Sequence, residues 1–259
     1  MQEKRVFIKG EALIPVLLGL GARHDDFEHM RLVSNHLGKD PTVNYRNIGL
    51  GRFALDPKKQ EDNYKCHDSG VARDFLPVGS TFQHNTVIQE SVLNCNYFNL
   101  RTFTEKDIQG YPALKGVHQD GGDQTMIVLL RSENLRKDSG ITFVHDNSET
   151  TGDSGYEAKP AFILDRLQHP HVLGTLMFAD ISYKHSVTPV HQSREEDRAV
   201  RDMLVLITRK PKLPGHPSKI MDSMESNRRL PLRLSLWLPG ISHTPIATMR
   251  IGVRQSDLR

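Results

Sequence analysis

Residues that could bind a metal ion occur together near the middle of the chain, in the segment Gly116–Asp123 (GVHQDGGD). His118 and Asp120 are separated by one residue, and on an extended strand positions i and i+2 point to the same face. An imidazole and a carboxylate placed in this way can bind one ion, and the glycines that follow allow a tight backbone turn around it. The spacing therefore predicts part of a metal site.

A third ligand is expected from a distant strand, and His185 is the candidate, 65 residues after Asp120 in the segment Tyr183–Pro189 (YKHSVTP). Two imidazoles and one carboxylate on one face of an octahedron are typical of non-haem Fe(II) oxygenases, because three positions stay open for a co-substrate and dioxygen. The same three ligands could instead hold a zinc ion that activates a water molecule for hydrolysis.

Arg201 favours the oxygenase over the hydrolase. It opens the apolar run Arg201–Thr208 (RDMLVLIT), on the strand expected next to the second histidine. A guanidinium there is costly to bury unless an anion meets it, and its forked geometry matches a carboxylate. We therefore predict that Arg201 anchors a dicarboxylate co-substrate. Arg198 is the rival for this role, and the alternative for Arg201 is an edge-strand ion pair with Asp197 or Asp202.

Several other polar residues are predicted to have lesser roles. Asp123 lies beyond two glycines, so it is assigned a hydrogen-bonding or turn role rather than a ligand role. Arg46 and Arg52 are candidates for binding a substrate carboxylate, with a salt-bridged strand face as the alternative. Four further histidines are predicted to lie at the surface or to support the ligands: His145, His169, His171 and His191.

The composition excludes several classes of protein. The 259 residues are 37% hydrophobic and 25% charged, with a net charge of +3, which is typical of a globular chain rather than a disordered one. The basic excess lies in residues 209–259, where ten Lys and Arg face three Asp and Glu. No basic stripe is interleaved with aromatic residues, so we predict no nucleic-acid partner.

Cysteine content and hydropathy predict the compartment. Two cysteines, Cys66 and Cys95, are too few for a disulfide-rich secreted scaffold, so a reducing compartment, the cytoplasm, is expected. The apolar run Ala12–Leu20 is shorter than the roughly 20 residues that a membrane span needs. We therefore predict no membrane association and no signal peptide.

The elements that position the candidate ligands follow from apolar spacing. Helical spacing over Glu11–His36, interrupted by Gly19 and Gly21, predicts two short helices. Val43–Leu55 predicts a strand, and Ser80–Leu100 predicts a third helix. From residue 115 onward, short apolar runs bounded by turn residues predict strands: Met126–Leu130, Ile141–Val144, Ala161–Leu164, Leu173–Phe178, Met203–Thr208 and Leu232–Leu238.

Helices first and strands afterwards predict a mainly β fold with N-terminal helices, a jelly roll rather than a parallel α/β sheet. We expect one domain over residues 1–259, with helical support and first strands in 1–110, the jelly-roll core in 111–240 and a basic tail in 241–259. Leu232–Leu238 is expected to return to the sheet, and Pro211–Asn227 to form a loop. The polar segment Glu149–Pro160 is a candidate lid.

Four segments together resemble a known family: Gly116–Gly122, Ser139–Thr142, His185–Pro189 and Arg201–Val205. In order and spacing they are similar to the small iron(II)- and 2-oxoglutarate-dependent dioxygenases that hydroxylate free amino acids, the group that contains bacterial isoleucine dioxygenase. The resemblance covers roughly residues 116–208 and is weaker upstream. One departure is Ser186, where the family often has a glycine.

The resemblance implies a double-stranded β-helix, also called a cupin-like jelly roll. It implies that His118, Asp120 and His185 bind Fe(II), that Arg201 binds the distal carboxylate of 2-oxoglutarate, and that Thr188 contributes to co-substrate binding. The implied reaction consumes dioxygen and 2-oxoglutarate, releases succinate and CO2, and hydroxylates a small free amino acid. Desaturation or cyclisation on the same site, a peptide substrate, and a cupin-like binding module without turnover are the alternatives.

Overall fold

Two antiparallel β-sheets form the framework of the protein that the structure describes. The computed structural model describes residues 4–19, 21–55, 64–67, 93–153, 157–210, 233–236 and 247–249. Its elements in chain order are β1 (Arg5–Ile8), α1 (Gly10–Gly19), α2 (His24–Leu32), β2 (Gly38–Lys39), β3 (Arg46–Leu55), β4 (Tyr64–His67), β5 (Leu93–Thr104), β6 (Gln124–Glu133), β7 (Thr142–Asp146), β8 (Ile163–Leu167), β9 (Thr175–Phe178), β10 (Tyr183–Val187), β11 (Ala199–Arg209), β12 (Arg233–Leu236) and β13 (Ala247–Met249).

The larger sheet has the order β1-β9-β6-β11-β5-β3-β2, with β4 also paired to β3, and the smaller sheet has the order β10-β7-β8. Along the chain, β6 belongs to the larger sheet, β7 and β8 to the smaller one, β9 to the larger, β10 to the smaller and β11 to the larger. This alternation is typical of a jelly-roll-like fold. The mainly β architecture with N-terminal helices is therefore as predicted.

The inner faces of the two sheets share one apolar core. Ile127, Leu129, Leu176, Phe178 and Met203 of the larger sheet cluster with Val144 of the smaller sheet, and Leu167 and Tyr183 pack against them. Because side chains alternate along a strand, the opposite face of the larger sheet needs a separate cover. The helices supply it, since Leu13 of α1 and Met30 of α2 pack against Cys95, Tyr97 and Leu204.

Several sequence predictions are confirmed. Two helices, α1 and α2, cover much of Glu11–His36, and β3 covers most of the predicted strand Val43–Leu55. The five apolar runs between residues 126 and 208 overlap β6, β7, β8, β9 and β11. Among the described residues, no helix is long and apolar enough to cross a membrane.

Two predictions are wrong. The helix expected over Ser80–Leu100 is contradicted from Leu93 onward, where β5 begins; residues 80–92 lie outside the described part of the chain. In β5 the neighbours Tyr97 and Phe98 point to opposite faces: Tyr97 packs towards the helices, and Phe98 is in register with Val205 on the inner face.

The last predicted strand also differs. β12 lies within the predicted strand Leu232–Leu238, but in the described residues it pairs only with β13 and joins neither the larger nor the smaller sheet. β13 lies inside the segment that was predicted to be a basic tail. The predicted loop Pro211–Asn227 lies outside the described residues.

Candidate active site

The structure brings the three predicted ligands together. One potential ligand atom each from His118, Asp120 and His185 all lie within 4.8 Å of one another. The distance from His118 Nε2 to Asp120 Oδ1 is 3.5 Å, and that from His185 Nε2 to Asp120 Oδ2 is 4.0 Å. Two imidazoles and a carboxylate at these separations fit the donor set of a non-haem iron centre.

A local backbone pairing positions the two histidines. His118 and His185 form an isolated antiparallel bridge, with each N–H donating to the other carbonyl at 2.9 and 2.8 Å, and their ring centroids are 4.3 Å apart. His118 and Asp120 were predicted to lie on a strand. In the structure they lie outside the strands, and the backbone pairing of this segment with β10 is limited to the single bridge between His118 and His185. His185 itself lies on β10, as expected of a ligand from a distant strand.

Hydrogen bonding orients the His118 ring, and burial keeps the His185 ring neutral. His118 Nδ1 lies 2.8 Å from the Gly116 carbonyl, which can only accept, so Nδ1 carries a proton and Nε2 faces Asp120. Burial opposes protonation of this ring, but the hydrogen bonds to Asp120 and to the Gly116 carbonyl raise the pKa of His118. Burial lowers the pKa of His185 to about 4, which keeps its imidazole neutral at physiological pH. Burial opposes ionisation of Asp120, but the His118 hydrogen bond and the nearby imidazoles lower its pKa below the ordinary value.

Asp180 holds the turn that carries Asp120. Its buried carboxylate accepts backbone N–H groups from Asp120, Gly121 and Gly122 at 3.0, 2.8 and 3.0 Å. Gly121 has a φ of +81°, a conformation that favours glycine. Thr125 Oγ1 donates to Asp120 Oδ2 at 3.1 Å and fixes the carboxylate itself. The ligand turn is thus held from its backbone and from its side chain.

Arg201 is buried on the inner face of the larger sheet, 4% exposed, in register with Thr102 of β5 and Ser132 of β6. Its Nη2 has no hydrogen-bond partner among the described residues, and no described carboxylate pairs with it. Burial lowers the pKa of Arg201 to about 10, so it stays charged at neutral pH. An unpaired buried cation fits the carboxylate of a co-substrate.

The predicted alternatives for Arg201 are corrected by its surroundings. It lies on β11, between β6 and β5 in the larger sheet, rather than on an edge strand, and His185 lies on β10 of the smaller sheet. Asp202 faces the other way and pairs with Arg101 at 2.7 Å. Asp197 pairs with Arg194 at 2.6 Å on the surface. The rival Arg198 is largely exposed, pairs with Glu105 and lies over the Phe103 ring.

A second unsatisfied group lies between the metal cluster and Arg201. Thr142 is fully buried, and its hydroxyl has no hydrogen-bond partner among the described residues. Thr142 is opposite Val187 on β10, and Val144, two residues later on the same inward face, is opposite His185. Thr188, the predicted co-substrate residue, instead uses its hydroxyl to accept the Ile141 N–H at 2.9 Å.

A cavity of about 230 Å³ opens at the Arg201 end of the interior, lined in part by Leu129, Gly140 and His169. Gly140 has a φ of +62°, and a Cβ there would lie 3.0 Å from Arg201 Cδ, so glycine leaves room for the arginine. His169 is 6% exposed, and its burial, followed by the charge of Arg201, lowers its pKa to about 3. A neutral imidazole therefore lies beside the guanidinium.

The other histidines vary in burial. His145 is fully buried and its Nε2 lies 2.8 Å from Ser186 Oγ, behind the His185 strand. His171 is exposed and lies 3.3 Å from Glu11, and His191 is partly exposed. Asp123 takes the expected hydrogen-bonding role, because its carboxylate accepts the Lys210 N–H at 2.9 Å.

Of the two predicted substrate arginines, Arg46 lies on the inner face of β3 by register. Arg46 is opposite Thr102, in the row of Arg201, and its Nε donates to Asp40 at 2.7 Å. The backbone of Arg52 is opposite Asn96, and its side chain lies outside the described part of the structure. The candidate lid Glu149–Pro160 is described except for residues 154–156, and Val117 binds it through Gly152 N–H and the Asp153 carbonyl.

Sequence reasoning missed Asp180 and Thr142. Thr142 stood inside the quoted Ser139–Thr142 segment, but only the strand register shows that it faces the interior. Nothing in the local sequence of Asp180 indicates that its carboxylate accepts hydrogen bonds from a segment about 60 residues earlier.

Comparison with known proteins places these features in context. The sequence profile described as 2OG-Fe dioxygenase matches residues 31–207. The chain is 46% identical over 275 residues to the bifunctional enzyme flvA of Aspergillus flavus, covering 92% of this chain and 33% of that protein. This chain therefore spans about a third of the length of the curated relative that it matches.

Two solved structures are also similar. The Fe(II)/α-ketoglutarate-dependent dioxygenase TqaL is 33% identical, with a TM-score of 0.68 over 82% of this chain and 84% of that chain. IDO from Bacillus thuringiensis is 16% identical, with a TM-score of 0.61 over 81% and 91%. At that identity, the likeness to IDO shows the fold alone.

Proposed function

This chain belongs to the 2OG-Fe dioxygenase family, and from that premise we propose that it hydroxylates an aliphatic C–H bond of a small free amino acid or close derivative. It is a 2-oxoglutarate-dependent iron dioxygenase whose cofactors are Fe(II), 2-oxoglutarate and dioxygen. Membership of this family argues against the non-catalytic binding module and the zinc hydrolase.

We assign the iron ligands to His118, Asp120 and His185, whose donor atoms converge. Iron and 2-oxoglutarate supply the oxidant when bound, and 2-oxoglutarate leaves as succinate and CO2. We assign Arg201 to the distal carboxylate of 2-oxoglutarate, and Thr142 as a hydroxyl donor on the same path. Both groups are buried and unpaired in the described residues, so both would gain a partner from the co-substrate.

The observation that carries the substrate proposal is the apolar wall beside the metal cluster. Phe178 packs on the His185 ring with centroids 5.3 Å apart, and it belongs to the aliphatic inner core of Ile127, Leu129 and Val144. Such a wall suits an aliphatic side chain and offers little to a polar one. Substrate position against the metal would then decide which C–H bond is oxidised.

A substrate carboxylate requires a cation near the metal end of the sheet. Arg46 already pairs with Asp40 at the opposite end. Arg52 is in the cross-strand row of Asn96, Ile207 and Thr125, and Thr125 donates to the metal-binding Asp120. We therefore propose Arg52, rather than Arg46, for the substrate carboxylate.

The test is anaerobic titration of the apo protein with Fe(II) and 2-oxoglutarate, followed by air and a panel of free amino acids. A visible absorption band of the iron chelate and succinate formation stimulated by one amino acid are expected. The mass of the product separates the outcomes, because hydroxylation adds one oxygen atom whereas desaturation or cyclisation removes two hydrogen atoms. A band without stimulation by any free amino acid would contradict the substrate class.

The organisation as a single domain over residues 1–259, the double-stranded β-helix and the cytoplasmic location belong to the same proposal. The alternation of strands between two sheets supports the β-helix. Cys95, a buried free thiol whose pKa burial raises to about 12, is consistent with a reducing compartment.

A further inference from the structure

A buried amide with no partner lies at the metal end of the interior. Asn94 is 0% exposed, and neither its Nδ2 nor its Oδ1 has a hydrogen-bond partner among the described residues. Buried amides are nearly always hydrogen-bonded, since an unmade bond leaves the desolvation of both atoms uncompensated. Because both the NH2 group and the carbonyl oxygen of the Asn94 amide are unused, we expect this side chain to bind a ligand.

The strand register places Asn94 on the inner face of the larger sheet. Its neighbours Cys95 and Tyr97 alternate onto the helix side, where they join the outer core. Asn94 is directly opposite Arg209 on β11, at the end of the strand that also carries Arg201. Because opposed residues of an antiparallel pair share a face, Asn94 lies on the same face as Phe98 and Thr102.

The same end of the sheet holds the metal-binding turn. Thr125, which donates to Asp120, is opposite Ile207, and Ile207 is opposite Asn96. Asn94 is one inward-facing position beyond Asn96. Two strand spacings and two residues of rise place the Cα atoms of Asn94 and Thr125 about 12 Å apart. That span suits a small molecule lying between the amide and the metal ligands.

Hydrogen bonds connect this end of β11 to the turn itself. The Asp123 N–H donates to the Thr208 carbonyl at 2.7 Å, one residue before Arg209. Arg209 is 8% exposed, so a largely buried cation lies in register with the amide. Arg52 is in the adjacent row of β3. The buried Arg209 adds positive charge beside the amide, and the amide itself offers a donor for a carboxylate and an acceptor for an ammonium group.

We propose that Asn94 binds the α-ammonium and α-carboxylate of the amino-acid substrate, Nδ2 donating to the carboxylate and Oδ1 accepting from the ammonium. The donor and acceptor of a carboxamide lie side by side, as do the ammonium nitrogen and a carboxylate oxygen of an α-amino acid. Asparagine uses the same edge to read an adjacent donor and acceptor on adenine. This inference rests on the proposed function and names the residue that selects its substrate class.

The test compares Asn94→Leu with Asn99→Leu in the full chain. Asn99 is a matched control, because it is on the same strand, is 3% exposed and faces the helices, where its Oδ1 accepts from Ser34 at 2.8 Å. Thermal unfolding establishes that each variant folds. Asn94→Ser provides a smaller polar replacement should the leucine disturb folding.

Substrate affinity is measured anaerobically, from the change that the amino acid causes in the absorption band of the iron–2-oxoglutarate chelate. We expect Asn94→Leu to weaken binding of the amino acid about 10- to 100-fold, the loss of one or two hydrogen bonds to charged groups. The 2-oxoglutarate affinity and the succinate formed without substrate should be unchanged. The 2-hydroxy acid that corresponds to the substrate lacks the ammonium group, and the decarboxylated amine lacks the carboxylate. Both compounds should bind wild-type protein weakly, and their affinities should fall little in Asn94→Leu.

Two adverse results are distinguishable. If no free amino acid perturbs the band or stimulates succinate in wild-type protein, the proposed function itself fails, and this inference with it. If one does, but Asn94→Leu and Asn94→Ser bind it with wild-type affinity, the assignment of Asn94 alone is overturned. An equal loss in Asn99→Leu would also overturn it, since the effect would then not depend on the inner face.

Discussion

Replacing Arg201 by methionine should have opposite effects on the stability of the apo protein and on co-substrate binding. Burial lowers the pKa of Arg201 to about 10. Against the ordinary arginine value of about 12.5, and at about 1.4 kcal/mol for each tenfold change in acidity, this corresponds to roughly 3 kcal/mol against the charged form. Removing an unpaired buried cation relieves that cost, and methionine keeps most of the packing volume.

We therefore expect Arg201→Met to unfold at a temperature several degrees above wild type in the absence of ligand, because ~1 kcal/mol corresponds to about 2–4 °C in a chain of this size. Its 2-oxoglutarate affinity should fall about 100-fold, the loss of two charge-assisted hydrogen bonds. A 2-oxoglutarate concentration that saturates wild-type protein should therefore raise the unfolding temperature of wild-type protein and leave that of Arg201→Met almost unchanged.

Differential scanning fluorimetry with and without Fe(II) and 2-oxoglutarate measures both effects, and anaerobic titration gives the affinity. Arg198→Met is the control, because Arg198 is largely exposed and pairs with Glu105 at 2.8 Å. It should leave 2-oxoglutarate affinity within about twofold, since exposed ion pairs contribute ~1 kcal/mol or less. Wild-type affinity in Arg201→Met, or a loss confined to Arg198→Met, would refute the assignment of the anchor.

Three further predictions concern the groups around the metal. His118→Ala and Asp120→Ala should abolish iron-dependent succinate formation in folded protein, and full activity of Asp120→Ala would contradict the ligand assignment. Thr142→Val should weaken 2-oxoglutarate binding about 5-fold without destabilising the apo protein, because the Thr142 hydroxyl has no partner among the described residues. Thr188→Val should instead lower the unfolding temperature, because the Ile141 N–H loses its acceptor. Asp180→Ala should weaken Fe(II) binding about 10- to 100-fold, because three backbone N–H groups lose their acceptor and the turn that carries Asp120 loosens. Equilibrium titration with Fe(II) measures this effect. An unchanged iron affinity would show that the turn keeps its shape without Asp180.

The predictable part of the site was set by local spacing. The His-x-Asp arrangement and the lone cation opening an apolar run are visible in sequence, because each depends on the chemistry of a few neighbouring residues. The structure brings His118, Asp120 and His185 within reach of one another and leaves Arg201 without a described partner. For the same reason the short apolar runs of the core were recognised as strands.

The parts that sequence could not give depend on which strands pair. Asn94, Thr142 and Asp180 are ordinary polar residues, and their roles follow from register or from contacts across long stretches of chain. Strand β5 was mistaken for a helix for a related reason. It is covered by helices on one face and turned to the interior on the other, so apolar residues occur on both faces and the period of two is obscured.

Three of the buried polar side chains with an unpaired atom lie at different ends of the interior. Arg201 and Thr142 lie towards one end of the sandwich, Asn94 lies at the other, and the metal cluster is bound to the Asn94 end through Thr125 and Asp123. Between them the inner core is apolar. Under the proposed assignments, the distal carboxylate of 2-oxoglutarate would bind at the Arg201 end and the zwitterionic head group of the substrate at the Asn94 end, because the core between them solvates a charged group poorly. The aliphatic part of the proposed substrate would then lie against the metal.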